Sequence, residues 1–281
     1  MEEMTPQDNI PPTIEADYPP GAICIASGEL ARWPHFTHTM LHVLRPKGSV
    51  IEMHCGLNVA ANFNAGIRRM LANPALRWAW IMGDDHEFEP NTLLRLLARC
   101  QDMVVPLVVR RQPPFIPVLF KAPLSNTPKG QFPPFHWDEL PAHGLIGPEQ
   151  GLYVAGSAGL LVHRRVFERM ADPWFEVGRD GQDLMNEDVY FCQKAKALGF
   201  DVYADMDVQL DHWTGNSLRP IRTTDGQWTV AINLGCELQV ALPPEFIARI
   251  MTTIKEESKE EFSKHAIDPF RPAPAEIIHV P

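Results

Sequence analysis

Four ionisable side chains in a row, Asp84-Asp85-His86-Glu87, follow the apolar run Arg77 to Met82 with only Gly83 between. A strand over Arg77 to Met82 would present them at its C-terminal end, which is where open α/β sheets bind ligands. Side chains alternate along an extended chain, so Asp84 and His86 are expected to share one side and Asp85 to face the other. One carboxylate and one imidazole make half a site for Mn²⁺ or Mg²⁺, which diphosphate oxygens could complete. A solvated acidic turn is the plainer reading of the same residues.

Three further groups have the right chemistry. Asn186-Glu187-Asp188 opens the helical stretch Val189 to Leu198. Acidic groups there can act only as caps favoured by the helix dipole, or Asp188, with Glu187 as second choice, can take a proton from a hydroxyl. His212 follows an apolar strand in Leu210-Asp211-His212-Trp213 and could join Asp84 and His86 as a third metal ligand. Gly156, Ser157, Ala158 and Gly159 are small enough for a ligand or a neighbouring chain to approach the backbone. They do not form a phosphate-binding P-loop, because no Gly-Lys-Ser/Thr follows.

These residues need a scaffold, and the hydropathy pattern supplies one. Short β-branched or apolar runs at Gly21 to Ala26, Val50 to His54, Arg77 to Met82 and Met103 to Val109 read as strands. Phe36 to Leu44, Asn58 to Leu71 and Leu93 to Cys100 read as helices between them. Alternation of this kind predicts an α/β fold with a mainly parallel, mixed sheet flanked by helices. Beyond it come a proline-rich stretch from 111 to 150, one strand over Tyr153 to His163, a helix at Arg165 to Met170, and strands at Asp201 to Ala204 and Val208 to His212. A long amphipathic helix over 244–265 would form a C-terminal helical extension.

The chain of 281 residues carries a net charge of −10, which opposes sequence-independent nucleic-acid binding. The arginine pairs Arg68-Arg69, Arg110-Arg111 and Arg164-Arg165 leave room for a local basic path. Five scattered cysteines without knuckle spacing suggest neither a disulfide framework nor structural zinc. The acidic, proline-rich start resembles no secretory signal, and the longest nearly apolar stretch, Gly151 to Val162, is too short to span a bilayer. These features predict a cytoplasmic protein with no membrane partner. They do not fix its oligomeric state.

The order of the motifs resembles the GT-A-fold glycosyltransferases, especially compact family-2-like enzymes of phages and bacteria. The resemblance runs from about Gly21 to Thr214. It rests on Asp84-Asp85-His86, on Val154 to Phe167, on Pro173-Trp174-Phe175, on Glu187 to Cys192, on Ala197 to Phe200 and on His212. The Asp-x-His form is similar to that of polypeptide GalNAc transferases, although a register on Gly83-Asp84-Asp85 is an alternative. The resemblance implies an arm over 1–20 and a transferase domain over 21–214, divided into a nucleotide-sugar half (21–110) and an acceptor half (111–214), with an extension over 215–281. It implies Mn²⁺ or Mg²⁺ on Asp84, His86 and His212, and Asp188 or Glu187 as the base. A nucleoside-diphosphate sugar, with a UDP-sugar favoured, would meet Ala26, Ser27, Asn62, Arg68, Asp84 and Asp85. Gly156, Ser157, Ala158, Gly159, Arg110, Arg111 and Trp213 would line the sugar and acceptor side. The acceptor is left open between a hydroxymethylated DNA base, a glycan and a small molecule. A nucleotidyltransferase and a non-catalytic nucleotide-sugar-binding protein are the competing readings.

Overall fold

A computed structural model describes residues 18–28, 34–56, 58–124, 131–180, 183–213, 217–233 and 239–241. The first half alternates as expected. It comprises β1 (Ala22–Ala26), α1 (Pro34–His42), β2 (Val50–His54), α2 (Val59–Ala72), β3 (Trp78–Gly83), the short β4 (His86–Glu87), α3 (Thr92–Ala98) and β5 (Met103–Val108). Next come β6 (Leu119–Lys121), β7 (Leu145–Ile146), β8 (Leu152–Ala155), β9 (Leu160–His163) and α4 (Arg164–Arg169). They lead to β10 (Gly178–Asp180), β11 (Asp183–Met185), α5 (Glu187–Ala197) and β12 (Tyr203–Trp213). The strands β13 (Ser217–Arg222), β14 (Trp228–Asn233) and β15 (Gln239–Ala241) complete the order.

The main sheet runs β15-β14-β13-β12-β5-β9-β3-β1-β2. β2, β1 and β3 are mutually parallel, and β5 is parallel to β12. β9 is antiparallel to both β3 and β5, so all five of those strands point the same way with β9 reversed among them. The sheet is therefore mixed around a parallel core. One consequence governs function: the C-terminal ends of β1, β3, β5 and β12 and the start of β9 all lie along one margin.

Alternation along β1 and β3 divides the core between the two faces. Ile23, Ile25, Trp80 and Met82 pack with Phe36 of α1 and Leu93 and Leu96 of α3. Cys24, Ala26, Ala79 and Ile81 pack with Phe63, Ile67 and Met70 of α2 on the other face. α2 starts where the sequence predicts, because the Asn58 side chain accepts a hydrogen bond from Ala61 N–H at 2.8 Å. Buried Asn64 fastens this helix to the second half, donating to the Phe175 carbonyl at 2.6 Å and accepting from the Phe175 N–H at 3.0 Å.

Two predicted strands take a different form. The stretch Tyr153 to His163 is two strands, with β8 pairing β6 and β9 inserted between β3 and β5. The break falls at Gly156 to Gly159, where Gly159 has φ +73° and lies against Pro106 and Leu210. Conversely, the two strands expected between Asp201 and His212 form the single strand β12, with a register shift between Asp205 and Gln209 opposite Pro106 and Leu107. Pro106 has no N–H to give to the ladder. The bulged residues find other partners: Met206 N–H donates to the Gly144 carbonyl at 2.9 Å, and Asp205 and Asp207 bind Arg99. The predicted helix over 244–265 lies outside the described residues.

Candidate functional site

β3 ends at Gly83, and the chain bends at Asp84 and Asp85 before β4 begins. Strand alternation therefore does not carry through the acidic run. Asp84 turns towards β1, where its Oδ2 accepts from Ser27 Oγ at 2.6 Å and from Gly28 N–H at 3.2 Å. Asp85, expected to face away, instead joins His86 and His212. Potential ligand atoms of Asp85, His86 and His212 all lie within 4.8 Å of one another. The expected ligand set is thus altered at one position: Asp85 takes the place given to Asp84, and the bend between β3 and β4 is the reason. Gly83 permits it, since a Cβ there would lie 2.8 Å from Asp85 Oδ1.

The two histidines meet because β4 pairs antiparallel with the end of β12, with His86 directly opposite His212. His212 Nδ1 lies 2.9 Å from the Val109 carbonyl, which can only accept, so Nδ1 carries the proton. Burial is the main influence holding the His212 pKa below the usual histidine range. A neutral ring with its proton on Nδ1 aims the Nε2 lone pair at Asp85 Oδ2, 3.4 Å away. His86 is only 3% exposed, and although its Nδ1 lies 3.0 Å from Asp85 Oδ1, neither ring nitrogen makes a well-aligned hydrogen bond. Asp85 is kept as the carboxylate by the Arg111 guanidinium, whose Nη1 donates to its Oδ2 at 2.8 Å. An ionised carboxylate, a bare imidazole nitrogen and a second buried imidazole without hydrogen bonds form an O,N,N donor set that fits a divalent cation.

Two cavities meet beside this cluster. One, of about 630 Å³, is lined by Ala26 and Ser27 at the end of β1, Asn58 capping α2 and Asn62 within it, Asp84 to His86, and Gly156 to Ala158. The other, of about 860 Å³, is lined by Arg110, Phe120, Phe132, Met185, Asn186 and Trp213, among others. Arg111, Val118, Asp188 and His212 belong to both walls. Asp188 sits in the first turn of α5 and takes a hydrogen bond from Val189 N–H at 2.7 Å. Burial, followed by the neighbouring Glu187 charge, pushes its pKa up to about 6. Glu187 lines only the smaller cavity.

Most of the remaining expected site residues gather here, with two exceptions. Arg68 lies about 9 Å further along α2 than Asn62, at the usual helical rise. Its guanidinium is held by Asp172 at 2.6 and 2.7 Å, and it lines neither cavity. Gly159 also lies off the cavity walls, packed on Pro106. Trp213 is buried beneath the larger cavity, stacked on His35 with ring centroids 3.9 Å apart. Val118, Phe120 and Met185 are wall residues that no motif announces. Only Gly156 hints at Val118, because a Cβ at Gly156 would meet Val118 Cγ1 at 2.5 Å.

No protein-family model matches the chain, and no curated protein sequence does. Among solved structures, the crystal structure of A197 from STIV matches with a TM-score of 0.50 at 11% identity, covering 80% of this chain and 99% of that one. The likeness is one of fold, a mixed sheet around a parallel core with flanking helices. Among the described residues, no helix is long and apolar enough to cross a membrane.

Proposed function

We propose that this chain is a metal-dependent glycosyltransferase that moves a sugar from a nucleoside-diphosphate sugar to an acceptor hydroxyl with inversion. The observation that carries the reading is the meeting of the two cavities. The smaller has a cation-ready cluster, the larger has basic and aromatic walls, and the near-neutral carboxyl of Asp188 stands between them. Asp85, His86 and His212 would hold Mn²⁺ or Mg²⁺. When bound, such a cation supplies positive charge against the departing nucleoside diphosphate.

The chain's own residues do the rest. Ser27 and Asn62 face the nucleoside, with Asp84 bracing the turn after β1. Gly156 to Ala158 let the sugar approach the backbone beside Asp188. Asp188 takes the proton of the acceptor hydroxyl as that oxygen attacks the anomeric carbon. The bond to the diphosphate breaks with its electron pair on the leaving oxygen, ahead of full bond formation, as in other glycosyl displacements. Arg110, Phe120 and Phe132, in the wall of the larger cavity, receive the acceptor.

The test is release of nucleoside diphosphate from a panel of nucleotide sugars, UDP-sugars first, with Mn²⁺ and with EDTA. Metal-dependent release that is lost in Asp85→Ala supports the reading. Absence of release from every donor, together with no Mn²⁺-dependent thermal shift on adding nucleoside diphosphates, overturns it.

A further inference from the structure

The loop after β5 puts an arginine where a cation is called for. Arg111 Nη1 donates to Asp85 Oδ2 at 2.8 Å, and this is the same oxygen that faces the bare Nε2 of His212. The loop is tightly tied: Arg110 N–H donates to the Ile116 carbonyl at 2.9 Å, Phe115 N–H to the Gln112 carbonyl at 3.1 Å, and Val109 bridges Pro117. A long side chain on this fixed base can swing while its backbone stays put. The Arg111 side chain is 53% exposed, against 16% for Asp85. Arg111 is also part of both cavity walls, so its reach spans the place where the two cavities join.

We propose that Arg111 is a positioning residue that alternates between two anions. Without metal it holds Asp85 and screens that carboxylate from its neighbours. A divalent cation entering the cluster competes for Asp85 Oδ2 and repels the guanidinium. A donor diphosphate on the cation then gives Arg111 a new partner, one that its planar fork suits better than a point charge would. Arg111 thereby makes metal binding weak until the donor arrives and makes donor binding strong once metal is present. This inference rests on the metal-and-donor reading above, and it moves Arg111 from the acceptor side to the diphosphate side.

Two titrations of the full-length chain test it. The first follows free Mn²⁺ by its paramagnetic resonance signal, without any nucleotide. The second follows UDP binding by calorimetry at saturating Mn²⁺. Arg111→Ala is expected to bind Mn²⁺ alone roughly two- to fivefold more tightly, the scale of removing a partly exposed ion pair. The same variant is expected to bind UDP about tenfold more weakly, with Arg111→Lys between it and the parent. Unchanged or weaker Mn²⁺ binding in Arg111→Ala overturns the competition. Tighter Mn²⁺ binding with unaltered UDP affinity overturns the role at the diphosphate. If the unmodified protein binds no Mn²⁺ with or without UDP, the metal reading itself fails and this inference with it.

Discussion

His86 and His212 stand opposite each other in an antiparallel pair, with ring centroids 4.5 Å apart and ring planes inclined by 23°. Residues 126 positions apart are thereby registered by backbone hydrogen bonds rather than by flexible side-chain packing. Each should be indispensable to the cluster. His212→Ala and His86→Ala should abolish the Mn²⁺-dependent rise in melting temperature. In the unmodified protein that rise reflects about 2.7 kcal/mol at a metal concentration of 100 times Kd. Differential scanning fluorimetry with and without EDTA checks it.

Asp188 should set the acid limb of the activity profile. With its pKa raised to about 6, the carboxyl is ionised only above that pH, so turnover should climb with pH through about 6 and then level. Asp188→Asn should lower kcat by roughly 10² to 10⁴ with little change in nucleotide affinity. A pH–rate profile that is flat between 5 and 7 would contradict the assignment.

The same substitution should stabilise the metal-free protein. A carboxyl that is harder to ionise in the folded state than in the unfolded state costs nothing below the unfolded pKa. The cost grows as pH rises towards the folded value, and above about 6 it is present in full. Asp188→Asn should therefore gain on the order of 1–3 kcal/mol at pH 8 and close to nothing at pH 3.5, as measured by urea denaturation.

Gly83→Ala separates the cluster from the fold. A Cβ at 2.8 Å from Asp85 Oδ1 must push the carboxylate aside. Mn²⁺ affinity should fall at least tenfold, a change of about 1.4 kcal/mol, while the circular dichroism spectrum stays unchanged. Equal metal affinity in the two proteins would mean that Asp85 does not need its present position.

Asn64→Ala addresses the joint between the halves. It leaves the buried Phe175 N–H and carbonyl without the partners they now have. The loss should be about 2–4 kcal/mol, since two backbone groups are left unsatisfied. Chemical denaturation measures it directly.

The alternating half of the fold was legible because its strands and helices carry their own periodicity, from the β-branched Ala22–Ala26 to the capped start of α2 at Asn58. The site margin followed from where β3 stops. Which aspartate joins the histidines was not legible, because the bend at Asp84 and Asp85 depends on the pairing of β4 with a strand far along the chain. The interruption between β8 and β9 was hidden for a similar reason. Small residues read equally well as a continuous strand until Pro106 and Leu210 are seen packed on Gly159. The hairpin of β13 and β14 was missed although Asp225-Gly226, with Gly226 at φ +86°, marks its turn; only the docking of β13 on the edge of β12 depends on the rest of the fold.

The bulge in β12 sets the phase of everything downstream. Residues 206–208 are an odd number of extra positions facing the junction of Pro106 and Leu107. Because side chains on a strand change sides at every step, an odd insertion inverts which of them look outward. His212 owes its handedness to that parity. Shortening the segment by one residue in an otherwise continuous strand would turn the imidazole through the sheet to the opposite side, and would turn Leu210 out of the core with it. A deletion in a segment that lines neither cavity would thus erase the site.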